Sequence, residues 1–426
     1  MPFSIAASAG LILLLLGTPV GVALILIPVV FLLIDPQVPL VVIPQRMLGA
    51  IDSFPLMALP FFVLVGQVMN AGGVTDRIFN FANCLIGHVR GGLAQVNILA
   101  SVFMSGMSGS AVADASGLGQ VEIKVMTKEG YDPSFSAAVT AASATVGPII
   151  PPSIPLVIVG AVTGTSISQL LIAGILPGIL MSVAMCLVVA WIAVRDNLPK
   201  RPRATLGQLG RSFIEALPAL LAPVILIGGI LFGVFTPTEA SAVAAIYAIA
   251  IAMFYYKELS LRGFIEVLIE TSVVVGAIFF IIAGAAASSW LFTWVGLPQT
   301  LAEWIGGSVT EPWHLLLLVN IFLLIVGCFL ESNAALILVA PLLFPIIVKA
   351  GIDPVHFGLV MVMNLMIGLI TPPVGMNMFV VMAIARITML QFVRAIWPFL
   401  LILIGVLMLV TYVPWFSLAI PTWAFR

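Results

Sequence analysis

Twelve apolar runs, each bounded by charged or turn-forming residues, follow one another along this chain of 426 residues. They fall near 3–17, 19–34, 54–71, 92–127, 134–164, 169–194, 216–236, 238–257, 271–294, 312–346, 355–386 and 391–414. A helix needs roughly 20 apolar residues to cross a bilayer. In lipid the backbone must satisfy its own polar groups, so spanning segments are helices or closed barrels. Runs of this length predict an all-α polytopic membrane protein. Composition excludes a soluble fold. Only 8% of residues are charged and the mean hydropathy is +1.26, whereas a soluble domain carries about 25% charged residues.

The net charge of −1 offers no surface to nucleic acid. Cys84, Cys186 and Cys328 form no CxxC, and His88, His314 and His356 lie far apart, so neither a disulfide framework nor a metal centre is indicated. Residues 1–17 lack the basic flank of a secretory signal and are expected to remain as a membrane segment. Runs 3–17 and 19–34 are short and meet at Gly17-Thr18-Pro19. They fit two helices or one kinked helix. Runs 92–127 and 312–346 are long, with Gly, Ser or Asn midway. They predict hairpins that enter and leave on the same side. The expected total is 10–11 transmembrane helices plus two re-entrant hairpins.

Charge orients this layout. With Met1 outside, ten crossings and two hairpins leave Arg46, Lys349 and Arg426 outside, and thirteen of the 16 Lys and Arg residues inside. Cytoplasmic loops carry such an excess. Counting either hairpin as a single crossing would spoil it. The most polar stretch, 195–211, reads as a cytoplasmic linker and divides the chain nearly in half.

The halves repeat. Gly130-Tyr131-Asp132-Pro133 recurs as Gly351-Ile352-Asp353-Pro354, Gly147 as Gly368, and Pro151-Pro152 as Pro372-Pro373, each 221 residues on. Val96-Asn97 recurs as Val319-Asn320 and Thr18-Pro19 as Thr236-Pro237, at similar offsets. An odd number of crossings per half inverts the second copy. Inverted repeats with interrupted helices point to a transporter whose site lies at the interruptions.

Four segments carry the chemistry. The hairpin tips are Ser105–Ser110, followed by Asp114, and Gly327–Asn333. The broken helices run through Ser143–Ser153 and Asn364–Asn377. Proline removes a backbone donor and clashes one turn back, so a Pro-Pro pair beside Gly unwinds the helix. Unwound backbone survives in lipid only where protein, water or an ion satisfies it. Exposed carbonyls with Ser, Thr and Asn oxygens suit a hard cation such as sodium. Half-helix N-termini suit a carboxylate. Small residues and prolines also serve plain helix packing, but two matched segments, each with a polar tip, favour a site. Asp114 and Glu331 are membrane-embedded acids and candidate functional groups. Glu239, beside Thr236-Pro237, reads as a helix cap.

The stretches LPFFVLVGQVMNAGGVTDRI, SGSAVAD, GPIIPPSIP, FTPTEASAVAA, ESNAALILVAPLLFPI, AGIDPVHFG and GLITPPVGMN span essentially the whole chain. In them the sequence resembles the large membrane subunit of tripartite ATP-independent periplasmic (TRAP) transporters. The resemblance implies an elevator transporter of the bacterial inner membrane, driven by sodium and taking up an organic acid such as a dicarboxylate or sialic acid. It implies scaffold helices at 1–91 and 216–311. Hairpins and broken helices at 92–194 and 312–426 would form the moving part, joined by a linker at 195–215. Its implied partners are a small four-helix membrane subunit, expected as a separate polypeptide, and a periplasmic solute-binding protein. No cofactor is implied beyond coupling sodium ions.

By the same resemblance one sodium site uses Ser108, Gly109, Ser110, Thr145, Gly147 and Pro148. The other uses Glu331, Ser332, Asn333, Gly368, Thr371 and Val374. Many relatives carry Asp where Glu331 stands, and the longer side chain leaves room for a water-mediated contact. The substrate would touch Ser110, Ser153, Asn333, Asn364 and Asn377. The competing readings are a stand-alone sodium/anion symporter and an anion channel. An intramembrane enzyme ranks last, because no embedded Ser/His/Asp set or paired-Asp motif is visible.

Overall fold

The computed structural model describes residues 2–297, 300 and 311–425, and among these it is helical, without strands. The external loop expected at 295–312, with Glu303, lies largely outside the described residues. Among the described residues eight helices are long and apolar enough to span a bilayer. The rest of the expected crossings are shorter pieces: the two N-terminal helices, the first arm of the first hairpin, and the halves into which both Pro-Pro segments divide their helices. The N-terminal ambiguity resolves into two helices, Pro2–Leu15 and Val20–Ile34, packed together after a turn at Gly17 (φ +82°).

The helices fall into two groups. In the first, Leu261–Trp294 packs against Val20–Ile34, Val42–Ile51 and Ala58–Ala71, and Ala58–Ala71 packs against Pro237–Ala250. Both halves of the chain contribute. Small residues let the backbones approach. A side-chain carbon on Gly284 would lie 2.7 Å from the carbonyl of Gly21, and Ser288 donates to the Leu24 carbonyl at 2.5 Å. Close approach through small residues is how membrane helices associate without a hydrophobic driving force. Leu261–Trp294 has 34 residues, or about 51 Å at 1.5 Å per residue. It exceeds a bilayer core of about 30 Å, and its first turns are polar, with Arg262 against Glu266 at 3.4 Å.

The second group contains the hairpins and interrupted helices. The first hairpin is Gly92–Ser108 followed by Ala111–Ser116 and Leu118–Lys128, with a kink at Gly117; the second is Pro312–Phe329 and Ser332–Lys349. The interrupted helices are Pro133–Ala144 with Ile154–Thr163, and Pro354–Gly368 with Met376–Ala385. Each later half packs on the hairpin of the other repeat. Ile154–Thr163 lies on Ser332–Lys349, and Met376–Ala385 lies on Ala111–Ser116 and Leu118–Lys128. The repeats are thus interlocked. Matched caps confirm their correspondence. Asp132 accepts from the amides of Ser134 and Phe135 (2.7 and 3.0 Å), and Asp353 from those of Val355 and His356 (2.8 and 3.1 Å). Such caps satisfy amides that a helix start leaves open. Glu239 closes a capping box with Thr236, as its position predicts.

Val74–Ile86, which the apolar runs miss, bridges the groups, packing on Leu206–Leu231 and Gly92–Ser108. Its moderate apolarity hides it from a search for continuous runs. Arg77 at its start donates to the Gly73 carbonyl and meets Glu258 at 2.5 Å. Nearby, Arg201 binds Glu129 at 2.7 Å and Asn83 at 3.2 Å, and Tyr256 donates to the Glu215 carbonyl. These contacts gather several of the basic segments assigned inside at one end of the molecule. The segment 195–215 is not wholly a linker, because Leu206–Leu231 starts within it on a Thr205/Gln208 capping box.

Candidate functional site

Each hairpin tip is seated on the interruption of its own repeat. Gly109 (φ +58°) turns the first tip, and a side-chain carbon there would lie 2.9 Å from the Pro152 carbonyl and 3.3 Å from the Ile154 amide. Only glycine allows both the turn and the approach. Ser110 then caps Ala111–Ser116. In the second repeat Gly327 and Gly368 meet backbone to backbone, the Gly375 amide donates to the Cys328 carbonyl at 3.0 Å, and the Cys328 thiol meets the Thr371 carbonyl at 3.1 Å. Both Pro-Pro bonds are cis.

A second layer of contacts fixes the arms. In the first repeat Asn97 donates to Thr140 (2.7 Å) and accepts from Ser143 (2.6 Å). In the second, Asn320 donates to Thr411 (3.2 Å) and accepts from Asn364 (2.7 Å). Asn97 and Asn320, like Ser143 and Asn364, are repeat-related, and all four are buried. Repeated amide clamps of this kind tie each hairpin to its interrupted helix.

The proposed ligand residues divide by geometry. At the first tip Gly109 meets the Pro152 carbonyl and the Ile154 amide, Ser110 caps the helix that carries Asp114, and the Asp114 carboxylate lies against Gly147. The Pro148 carbonyl accepts the Ser153 hydroxyl, and Ser153 caps Ile154–Thr163. Thr145 is buried, its hydroxyl turned to the Ala142 carbonyl at 2.6 Å. The side chain of Ser108 lies outside the described residues. At the second tip, Glu331 is the N-cap of Ser332–Lys349. Its carboxylate accepts from the Ala334 amide (2.9 Å), the Asn333 amide group (2.9 Å) and the Ser332 hydroxyl (3.3 Å). It thereby shapes the tip. Thr371, in the interruption beyond Gly368, donates its hydroxyl back to the Ile367 carbonyl at 2.8 Å, and Val374 is partly exposed. Asn364 is held in its clamp, and Asn377 is buried with neither amide atom hydrogen-bonded among the described residues.

A cavity of about 280 Å³ joins these parts. Ser110, Asp114 and Asn333 line it from the two tips, and Ile154 from the first interruption. The opposite wall is Gln67 and Asn70 of Ala58–Ala71 with Val274 and Ile278 of Leu261–Trp294. Gln67 and Asn70 were not picked out from sequence, although they are polar residues on a spanning helix. Among the described residues no Lys or Arg lines this cavity. A larger cavity of about 760 Å³ follows along the same two walls, past Ile282 and Ala285 on one and Ile337 and Pro341 on the other, to Arg46. Arg46 is among the residues that the charge count expects outside.

Comparison with known proteins places this architecture. The family model described as "Tripartite ATP-independent periplasmic transporter, DctM component" matches residues 9–416. The sialic acid TRAP transporter large permease protein of Vibrio cholerae is 45% identical over 409 residues, 96% of each chain. The C4-dicarboxylate TRAP transporter large permease protein of Pseudomonas aeruginosa is 40% identical over 372 residues, 87% of each chain. The crystal structure of the Alcanivorax borkumensis YdaH transporter superposes with a TM-score of 0.67 over 88% of both chains at 15% identity, a likeness of fold alone.

Proposed function

Because this chain belongs to the DctM family of tripartite ATP-independent periplasmic transporters, we propose that it couples sodium entry to uptake of an organic acid by an elevator movement. The chain is a large permease subunit of the inner membrane and not an enzyme. Its acid would be a sialic acid, a C4-dicarboxylate or a related sugar acid, delivered by a periplasmic solute-binding protein. A small membrane subunit would complete the complex. The hairpins and interrupted helices form the moving part, and Leu261–Trp294 with its neighbours the fixed one.

One observation carries the sodium reading. Among the described residues the cavity at the tips holds Asp114 and no Lys or Arg, yet the proposed solute is an anion. Helix N-termini and amides attract a carboxylate with partial charge only. Sodium ions beside the tips would supply the missing positive charge, and the solute would then bind only when they are present. Carbonyls and hydroxyls at Gly109, Ser110, Gly147 and Pro148, and around Glu331, Ser332, Asn333, Gly368, Thr371 and Val374, are oxygen donors of the kind hard cations take. A direct contact from Glu331 would require it to release part of its cap.

The elevator reading rests on the two successive cavities, which lie along one seam between the helix groups. The test is uptake into proteoliposomes holding this chain and its small subunit. Sialic acid and succinate are supplied with their binding proteins, under an inward sodium gradient. Uptake should require both the gradient and the binding protein. Uptake with potassium replacing sodium would sink the coupling, and uptake without binding protein would favour the stand-alone symporter.

A further inference from the structure

Glu122 takes no part in the features above. It lies on Leu118–Lys128, the returning arm of the first hairpin, and is 1% exposed. Its Oε1 is buried without a hydrogen-bond partner among the described residues. Four elements pack substantially against this helix: Gly92–Ser108, Ala111–Ser116, Pro133–Ala144 and Met376–Ala385. Between them they contain a single titratable residue, Asp114, which is another acid. On its own helix Lys124 and Lys128 are exposed, turned away from this packing.

An isolated ionised carboxylate in an apolar interior carries a prohibitive desolvation cost, and a second acid nearby adds repulsion. A positive occupant must remove the charge. A metal ion would take six or more oxygen ligands if it were calcium or magnesium. Among the described residues no group of three or more His, Cys, Asp or Glu is placed to hold one. Nor does the helix break here to bare its carbonyls, since Leu118–Lys128 is continuous through Glu122. A proton needs none of these donors. We infer that Glu122 is a proton-binding site, holding its carboxyl in the neutral form inside the hairpin body. The site stands apart from the tip oxygens and does not depend on which solute or coupling ion the protein uses.

Infrared spectroscopy of the full chain in nanodiscs reads this directly. At neutral pH the wild type should show the carbonyl-stretch band of a protonated carboxylic acid, shifted in D₂O. Glu122→Gln should lose that band completely and keep the helical amide signature, since Gln mimics the neutral acid in shape. The band should persist in saturating sodium. Superimposable wild-type and Glu122→Gln spectra in the carboxylic-acid region would overturn the inference, as would disappearance of the band on adding sodium. Should the variant fail to fold, the wild type can be treated with dicyclohexylcarbodiimide, which reacts with protonated carboxyls in apolar surroundings. Peptide mass spectrometry should find Glu122 modified at neutral pH and protected at alkaline pH. An unmodified Glu122 at neutral pH would refute the site.

Discussion

At the scale of single residues, the site depends on side chains that hold backbone in place. Glu331 illustrates this. Sequence marks it as an embedded acid, and the structure spends its carboxylate on the first turn of its own helix. Asn320 and Asn364 act similarly, closing one clamp at 2.7 Å in a fully buried setting. Removing one member leaves the other unsatisfied, at a cost of about 1–3 kcal/mol. Asn320→Ala should therefore lower the thermal unfolding midpoint of the detergent-solubilised chain, while Asn320→Ser, which keeps a neutral polar group, should lose less. Equal unfolding curves for Asn320→Ala and the wild type would show that the clamp carries no stability.

At the scale of elements, the interruptions and the tips form one unit in each repeat. The first half of each interrupted helix ends where its tip arrives, and the second half begins with its amides toward the same place. Proline at 151–152 and 372–373 keeps the halves apart because it offers no amide donor and clashes with the preceding turn. Replacing Pro151-Pro152 or Pro372-Pro373 by Ala-Ala should allow the helix to continue and abolish sodium-dependent uptake in proteoliposomes. Retained uptake in both variants would remove the interruptions from the mechanism. Most of this was legible in the sequence. Pro-Pro and the 221-residue offset are local patterns that survive without tertiary knowledge. Val42–Ile51, Val74–Ile86 and Trp415–Ala424 were not legible, since each is short or amphipathic and its helical character comes from packing. The roles of Asn364 and Asn97 were hidden for a related reason: whether an amide faces a ligand or a neighbouring helix depends on contacts between distant segments.

At the scale of the whole molecule, two helix groups meet along a seam that contains both cavities. Gln67 of Ala58–Ala71 and Ser110 of the first tip line opposite walls of the inner one. If the groups slide past each other, a covalent link across that seam must stop transport. Ala113 lines the same wall as Ser110 and is exposed; with Cys84 and Cys186 replaced by Ser, Gln67→Cys/Ala113→Cys joined by a short bifunctional maleimide should abolish uptake, while each single variant treated alike should retain it. Undiminished uptake by the joined double variant would exclude relative motion at this seam. The sequence foretold the all-helical architecture and the tips, but the wall opposite them was invisible. Gln67 and Asn70 sit in an apolar run that reads as scaffold, and only the packing of Ala58–Ala71 with the tips turns them toward a cavity.

The interlocking of the repeats also bears on biosynthesis. Ile154–Thr163 rests on Ser332–Lys349, which is translated some 180 residues later, and Ala111–Ser116 waits for Met376–Ala385. A nascent chain that has delivered its first half to the membrane thus holds a polar tip and an interrupted helix without their covering partners. Lipid cannot satisfy those groups. The first half completes its packing only when the second arrives, so the two halves are expected to mature together.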